Sequence, residues 1–190
     1  MTLAKKIDRK FTLEDYLGWS ADERWELIDG NAFSMTPAPT FRHQQIVGSF
    51  YRILGNQLAG KSCVVVISPI DVVLSSYDVV QPDVVVVCDR KKITEANIQG
   101  APDIIVEVLS PSTALRDKRE KKALYEKYGV REYIIVDPLD SYLERYVLKE
   151  SYGIPEVFGP ADVIVLQSLE DVEIRLSEVF GQEESRGEQS

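Results

Sequence analysis

Two acidic residues stand where two predicted strands would meet. Glu107 lies within the aliphatic run IIVEVL, where an unpaired carboxylate would cost on the order of several kcal/mol of desolvation, so a cationic partner is expected. The alternative is an edge strand on which Glu107 faces water. Asp83 opens the preceding strand, PDVVVV, either as a turn aspartate or as part of a site. A hairpin centred near Glu95 would bring the two carboxylates within about 5 Å, where they repel unless a divalent cation bridges them.

A lysine in the following helix is predicted to point toward these acids. The segment ALRDKREKKALYEKY has one apolar face, and residues three and four apart on that face run from Asp117 through Lys121 to Tyr125. Lys121 therefore points inward, where it either extends its ammonium group to solvent or meets a buried anion. Its neighbours Lys118 and Lys122 are turned away by about 60–100° in helical projection and are expected to be solvated.

The order of these residues resembles the PD-(D/E)XK nuclease superfamily. The sequence has Pro-Asp at Asp83, then Glu107, then the inward Lys121 on the next helix. One position departs from the pattern, because the superfamily places its lysine two residues after the glutamate, where this chain has Leu109. The resemblance implies that Lys121 has taken over the role of that lysine.

A longer stretch is similar to the Uma-two type of restriction endonuclease. The similarity runs from RWELIDG to about Phe180 and includes PDIIVEVLSPST, the spacing of Asp117, Lys121 and Tyr125, and YGVREYIIVDP. It implies a restriction-endonuclease-like fold and hydrolysis of DNA phosphodiester bonds with Mg²⁺, for which Mn²⁺ could substitute.

The resemblance also implies roles for individual residues. Asp83, Glu107 and Glu26 of the WELIDG motif would be catalytic metal ligands, although Glu26 could instead be a strand carboxylate that faces water. Lys121 would orient the attacking water or stabilise the transition state. His43 fits the family pattern and either lies in the cleft or packs as a core histidine. Phosphate contacts are expected from Arg116, Lys118 and Lys122, and cleft positions also from Asp117 and Tyr125.

The elements that must position these residues follow from periodicity and capping signals. Thr12 is predicted to cap a short helix that ends at Gly18, and WELIDGNAFSM is predicted to form two strands that turn at Asp29-Gly30. Thr40 is predicted to start a long helix that ends near Gly60. Its apolar stripe comprises His43, Val47, Phe50, Tyr51, Leu54 and Leu58. Later β-branched runs predict strands at SCVVVIS, DVVLSS, DVVVVCD, DIIVEVLS, EYIIVDP, SYLERYVL and VIVLQ.

Together these elements predict an α/β or α+β domain over residues 11–181, with a mixed, largely antiparallel central sheet flanked by helices. An antiparallel meander is the simplest connection of the strands. Residues 1–10 are expected to fray, and the acidic tail 182–190 is expected to be disordered. Cys63 and Cys88 adjoin valine-rich runs and are expected to pack as small hydrophobic residues without a disulfide.

The charge of the chain limits its partners. The 190 residues carry a net charge of −9, which argues against coating of nucleic acid by bulk charge, yet seven basic and three acidic residues lie between Arg116 and Arg131. No apolar run reaches membrane-spanning length and no signal peptide is evident, which favours the cytoplasm.

We therefore expect a Mg²⁺-dependent DNA endonuclease, as a homodimer if it cuts both strands. The alternatives are a degenerate nuclease-fold protein that binds nucleic acid or assembles with partners, and a hydrolase of a smaller phosphorylated substrate.

Overall fold

The computed structural model describes residues 9–20, 23–35 and 38–181, which form two main β-sheets, a small hairpin and the helices that cover them. The predictions for residues 1–8 and 182–190 therefore lie outside the described residues. The helical elements are α1 (Leu13–Leu17), α2 (Phe41–Leu58), a 3₁₀ turn (Arg90–Lys92), α3 (Ala114–Arg116), a π-helical turn (Asp117–Lys121), α4 (Lys122–Tyr128) and α5 (Leu176–Phe180). The strands are β1 (Trp25–Ile28), β2 (Asn31–Ser34), β3 (Val64–Ile67), β4 (Asp71–Ser75), β5 (Asp78–Val80), β6 (Val84–Val87), β7 (Asn97–Gln99), β8 (Ile104–Val108), β9 (Glu132–Asp137), β10 (Tyr142–Val147), β11 (Glu156–Phe158), β12 (Val163–Val165) and β13 (Glu173–Arg175).

The larger sheet has six strands in the order β11-β10-β9-β8-β6-β3. Its pairs are antiparallel except for β8 and β9, which run parallel. The predicted mixed, largely antiparallel sheet is therefore confirmed, whereas a simple antiparallel meander is wrong. The reason is the helical segment of residues 114–128, because a crossover of that length returns the chain in the same direction.

The smaller sheet has five strands in the order β2-β1-β5-β4-β7. Its first hairpin turns at the predicted Asp29-Gly30, where both residues have positive φ, 49° and 69°. A Cβ atom at Gly30 would lie 2.7 Å from the Cβ of Lys10, so the turn also needs glycine for space. Strand β5 was not predicted, because its three residues are too few to show a period.

Both faces of the six-stranded sheet are covered. Alternate side chains of β6 point to opposite sides, so Val84 and Val86 pack in the cluster that contains α2 and α5. Val85 and Val87 pack instead with α4 and with residues of the smaller sheet. This double burial explains why the strands consist of continuous valine and isoleucine runs.

The register of β6 and β8 matches the predicted one. Val84 pairs with Val106, which makes positions 83 and 107 the next opposed pair. The strand β8 lies between β6 and β9, so the edge-strand alternative for Glu107 is wrong. The intervening segment is not a simple loop, because its strand β7 pairs with β4 of the other sheet.

The predicted helix ends agree with the structure. Thr12 and Asp15 form a capping box at α1, Thr40 accepts a hydrogen bond at the start of α2, and Gly129 ends α4 with a φ of 82°. Tyr51 of the predicted apolar stripe is exposed, however, and Ile46 and Ile53 are buried on the core face of α2 instead. Within the described ranges, no helix has the length and apolar character needed to cross a membrane.

The expectation for the two cysteines is wrong in one respect. Cys63 and Cys88 do pack against the core, but they form a disulfide bond. The residues that follow and precede them, Val64 and Val87, are a cross-strand pair of β3 and β6, so the register brings the two thiols together. Composition alone does not reveal this pairing because it depends on how the strands align.

Candidate active site

A buried ammonium group joins two buried carboxylates at the centre of the protein. Lys121 Nζ lies 2.8 Å from Oε1 of Glu107 and 2.8 Å from Oε1 of Glu26. The three residues are only 3%, 4% and 1% exposed, respectively. Tyr125, one helical turn after the lysine, donates its hydroxyl to the same oxygen of Glu107 at 2.8 Å. Glu107 therefore has the cationic partner that its aliphatic surroundings require.

The position of Glu26 depends on the smaller sheet. Glu26 lies in β1, and its Oε1 also accepts a hydrogen bond of 2.9 Å from the backbone N–H of Gln81. The alternative that this glutamate faces water is wrong. The ion pair of Glu26 with Lys121 links the smaller sheet to the helical segment, so residues from both sheets and from that segment meet at Lys121.

Asp83 and His43 form a second pair beside this centre. Oδ2 of Asp83 accepts a hydrogen bond of 2.8 Å from the backbone N–H of Val108, next to Glu107, and lies 3.3 Å from Nε2 of His43. His43 comes from the first turn of α2 and is buried. Burial lowers the pKa of His43, but the hydrogen bond and the charge of Asp83 outweigh it and raise that pKa.

The helical segment that carries Lys121 is wider than an ordinary α-helix. Residues Asp117–Lys121 form a π-helical turn, a type of bulge that often occurs at functional sites. The carbonyl of Asp117 accepts bonds from the N–H of Lys122 and from the hydroxyl of Tyr133, the latter at 3.0 Å. Both Asp117 and Lys121 are buried on the core side of this turn. The sequence gives no signal for the turn or for the Tyr133 contact, since helical periodicity assumes a regular helix.

The charges at this site strongly affect one another. Burial raises the pKa of Glu107 well above its ordinary value, and Lys121 only partly offsets this effect. Burial likewise raises the pKa of Asp117. Burial also acts to lower the pKa of Lys121, but Glu107, Glu26 and Asp117 together raise it well above its ordinary value. The raised pKa keeps Lys121 in its cationic form at neutral pH.

Two polar atoms at this site lack hydrogen-bond partners. They are Oδ1 of Asp117 and Nδ1 of His43, and no other buried side-chain nitrogen or oxygen in residues 9–20, 23–35 and 38–181 lacks one. Oδ1 of Asp117 lies 3.7 Å from Lys121 Nζ. Buried polar atoms without partners are rare in folded proteins and mark places where a ligand or water belongs. The described residues do not already form a group of three or more metal-binding side chains.

The three residues expected to contact phosphate lie on or beside the helical segment. Arg116 is near the site, since its guanidinium lies 3.9 Å from Glu26 Oε2 and stacks over the ring of Phe33. Its side chain is 19% exposed, and that of Asp83 is 17% exposed, so these two residues connect the buried centre to the surface.

Lys118 and Lys122 are not the freely solvated residues that the sequence predicts. Lys118 Nζ lies 2.7 Å from Oε1 of Glu144, and Lys122 Nζ lies 4.4 Å from the ring centre of Tyr146. The expectation of full solvation fails because β10 packs beneath this side of the helix. Helical projection separates the faces of a helix but does not show what another strand places beside them.

The sequence of this chain matches a known protein family. The chain matches the family described as "Uma2: Putative restriction endonuclease" over residues 13–177, and it belongs to that family. Two proteins of Synechocystis sp. are similar to it, each at 28% identity. Uncharacterized protein slr1290 aligns with 72% of this chain and 74% of its own length, and uncharacterized protein sll1609 with 66% and 73%.

A solved structure has a similar fold. It is titled a putative nuclease belonging to DUF820 from Anabaena variabilis ATCC 29413, and it superimposes with a TM-score of 0.75. The alignment covers 90% of this chain and 97% of that chain at 19% sequence identity. This likeness supports the single-domain, nuclease-like fold.

Proposed function

We propose that this protein is a Mg²⁺-dependent DNA endonuclease that hydrolyses phosphodiester bonds with an activated water. Membership of the family supports a nuclease. The observation that carries the proposal is the convergence of Glu26 and Glu107 on Lys121 Nζ, at 2.8 Å from each. Asp83, next to this pair on the neighbouring strand, supplies a further carboxylate near the surface.

The side chains fit a hard divalent cation. Asp83, Glu107 and Glu26 would hold Mg²⁺ or Mn²⁺ through carboxylate oxygens, the ligands that these ions prefer. Oδ1 of Asp117 supports this fit, because it is a further buried oxygen near the same acids and takes part in no hydrogen bond. A bound ion would polarise the scissile phosphate and lower the pKa of the attacking water.

Lys121 would act through its charge. Its raised pKa keeps the ammonium protonated, so it can stabilise the negative charge that builds up on the phosphate in the transition state. Tyr125 and Lys121 contact the same oxygen of Glu107 and so fix the orientation of that carboxylate.

Arg116, Lys118 and Lys122 would contact the phosphates of the bound strand. Arg116 is the nearest of the three to the acids. Lys118 would exchange its partner Glu144 for a phosphate, so its contribution to binding would be smaller than that of a free lysine. Such contacts position the strand without reading its sequence.

Cleavage of a supercoiled plasmid and of labelled oligonucleotides tests the proposal. Wild-type protein is expected to cleave with Mg²⁺ or Mn²⁺ and not with EDTA. Asp83→Asn and Glu107→Gln should abolish cleavage, and Lys121→Met should slow single-turnover cleavage about a hundredfold. Lys127→Met, an exposed lysine of α4, is the control that should cleave normally. The proposal would be refuted if the wild type failed to cleave with every divalent ion tested, or if the Asp83→Asn variant were as active as the wild type.

A second candidate function is a nuclease-fold protein that binds nucleic acid without cleaving it. Leu109 at the usual lysine position and the pairing of Lys118 with Glu144 favour this candidate. It predicts oligonucleotide binding without cleavage and no rise in melting temperature with Mg²⁺. A nuclease with the proposed site should instead be stabilised by Mg²⁺, and the double variant Asp83→Asn/Glu107→Gln should not.

An enzyme that cuts both strands needs two sites, so we also propose a homodimer in solution. Light scattering coupled to size-exclusion chromatography would measure its mass. A monomer that remains active on duplex DNA would contradict this part of the proposal.

A further inference from the structure

A cleft lined by aromatic residues lies beside the candidate active site. It has a volume of about 420 Å³, and its walls include Tyr16, Trp19, Trp25 and Arg24. The ring centre of Trp19 lies 5.6 Å from that of Tyr16 and 5.7 Å from that of Trp25. All four side chains are partly exposed, so their surfaces are available to a ligand.

The polar side of this cleft is held in place by hydrogen bonds. Arg24 donates from Nε and Nη2 to Oε1 of Gln81, at 2.9 and 2.8 Å. The amide Nε2 of Gln81 in turn donates to Oδ1 of Asp71 and to the hydroxyl of Tyr16. The guanidinium plane and the amide are therefore already ordered, which lowers the entropy cost of binding a flat polar ligand.

The cleft and the candidate active site share a residue. Gln81 lines the cleft through its side chain, and its backbone N–H donates to Oε1 of Glu26 at 2.9 Å. The same oxygen of Glu26 contacts Lys121. Trp25 and Glu26 are consecutive in β1, so the cleft and Lys121 lie on opposite faces of the smaller sheet. Gln81 lies two residues before Asp83, so a strand bound at Asp83 would pass close to the cleft.

We propose that this cleft binds an unpaired nucleobase of the strand that enters the active site, an inference that rests on the proposed nuclease function. Aromatic rings and an arginine plane stack on the faces of unpaired bases, and the Arg24 guanidinium, which Gln81 holds through Nε and Nη2, has further N–H groups for a base edge. The net charge of −9 and the pairing of Lys118 with Glu144 leave few cations for phosphate contacts. Stacking supplies affinity that does not depend on such cations.

The chain offers a specific probe of this cleft. Trp19 and Trp25 are its only two tryptophans, so intrinsic tryptophan fluorescence reports on this cleft alone. The full-length protein, in EDTA to prevent cleavage, would be titrated with a single-stranded DNA oligonucleotide, the RNA of the same sequence, the DNA duplex and a mononucleotide. We expect saturable quenching by single strands and at least tenfold weaker quenching by the duplex. Comparison of the DNA and RNA titrations identifies which strand supplies the base.

Substitutions then test the residues. Trp25→Leu and Trp19→Leu should each weaken single-strand binding about tenfold, measured by anisotropy of a labelled oligonucleotide. Trp25→Phe and Trp19→Phe, which keep a ring, should bind with intermediate affinity and provide the measurement if the leucine variants do not fold. Tyr51→Leu removes an exposed aromatic residue of α2 outside the cleft and should bind like wild type.

Three results would overturn the inference: no saturable quenching by any strand, equal quenching by the duplex or the mononucleotide, or normal affinity in all the tryptophan variants. These outcomes are separate from the test of nuclease function. If the protein cleaves plasmid but its tryptophan fluorescence is not quenched by single strands, the proposed function stands and the base-binding role of the cleft is refuted. If the fluorescence is quenched but no divalent ion supports cleavage, the role of the cleft stands and the proposed function is refuted.

Discussion

Lys121 of the π-helical turn and Glu107 of β8 form an ion pair of 2.8 Å that is almost completely buried. Glu26 of β1 contacts the same ammonium group at the same distance. A single cation thus connects the helical segment with a strand from each of the two main sheets. The pair consequently affects folding as well as chemistry, because removal of one partner leaves the others as buried, unpaired charges.

The first prediction concerns the loss of this cation. Lys121→Met keeps the approximate volume of the side chain but leaves Glu26, Glu107 and Asp117 without their shared partner. We expect the free energy of unfolding to fall by about 3–5 kcal/mol at neutral pH, as is typical when one partner of a buried pair is removed. Urea denaturation monitored by circular dichroism measures this change.

Lys122→Met is the matched control for this substitution. Lys122 lies next to Lys121 in the chain but contacts the face of Tyr146, so its removal should cost only about 0.5–1 kcal/mol. Burial raises the pKa values of the carboxyl groups of Glu107 and Asp117 and Lys121 acts to lower them, so these values rise further without it. Protonation at low pH then removes the unpaired charges of the variant. The loss in free energy of unfolding caused by Lys121→Met should therefore be smaller at pH 5 than at pH 8. Equal stability losses in Lys121→Met and Lys122→Met would show that the buried pair contributes nothing.

The second prediction concerns the π-helical turn. Tyr133→Phe removes the hydroxyl that donates to the carbonyl of Asp117 and should loosen the turn that places Lys121. We expect a stability loss of about 1 kcal/mol, faster hydrogen exchange of the amides in residues 117–122, and faster modification of Lys121 by an amine-reactive reagent. Mass spectrometry measures both exchange and modification.

Tyr152→Phe is a close control for this effect. Tyr152 packs in the same aromatic cluster, and its hydroxyl also donates to a buried carbonyl, that of Val130, at 2.8 Å. Its substitution should lower the free energy of unfolding about as much as Tyr133→Phe does, but it should leave the modification rate of Lys121 unchanged. If the two variants expose Lys121 equally, the contact of Tyr133 has no special role in placing the lysine.

Much of the fold could be predicted because it depends on local patterns. Thr12 and Thr40 signal helix starts, Asp29-Gly30 signals a turn, and the valine-rich runs signal strands with both faces covered. Apart from the pairing of β6 with β8, the sequence could not show how strands far apart in the chain align. The disulfide between Cys63 and Cys88 and the parallel pairing of β8 and β9 both follow from that alignment.

The candidate site shows the same limit. The inward orientation of Lys121 follows from helical spacing, and the position of Asp83 opposite Glu107 follows from hairpin symmetry. The contribution of Gln81 could not be foreseen, because it depends on the pairing of β1 with β5, a strand that was not predicted. The pairing of Lys118 was missed for a similar reason, since Glu144 lies on a strand 26 residues away in the chain.

The third prediction concerns the disulfide. The bond between Cys63 and Cys88 closes a loop with a sequence separation of 25 residues. Loop-closure entropy for a loop of this size amounts to about 3 kcal/mol of stabilisation, so addition of a reductant should lower the melting temperature of the wild type. The double variant Cys63→Ser/Cys88→Ser should melt at the lower temperature with or without reductant. A wild type that is insensitive to a strong reductant would show that the bond does not contribute to stability.

The last prediction concerns Asp78, a buried aspartate that joins three elements of the smaller sheet and its surroundings. Its carboxylate accepts hydrogen bonds from the backbone N–H of Asp29, the hydroxyl of Ser75 and the hydroxyl of Tyr128, at 2.7, 2.9 and 2.7 Å. Burial acts to raise the pKa of Asp78, but these hydrogen bonds, together with the charge of Lys127, lower it below its ordinary value.

A lowered folded-state pKa means that ionised Asp78 stabilises the protein above the unfolded-state pKa, and that this contribution is lost as pH falls through the folded-state value. The wild type should therefore lose stability more steeply than Asp78→Asn as the pH falls from about 5 to about 3, while at neutral pH Asp78→Asn should be the less stable protein. Urea denaturation at several pH values measures both curves. Asp140→Asn, a substitution at an exposed turn, is the control that should follow the wild type. Parallel curves for wild type and Asp78→Asn would show that the ionised carboxylate does not contribute to the acid sensitivity of the fold.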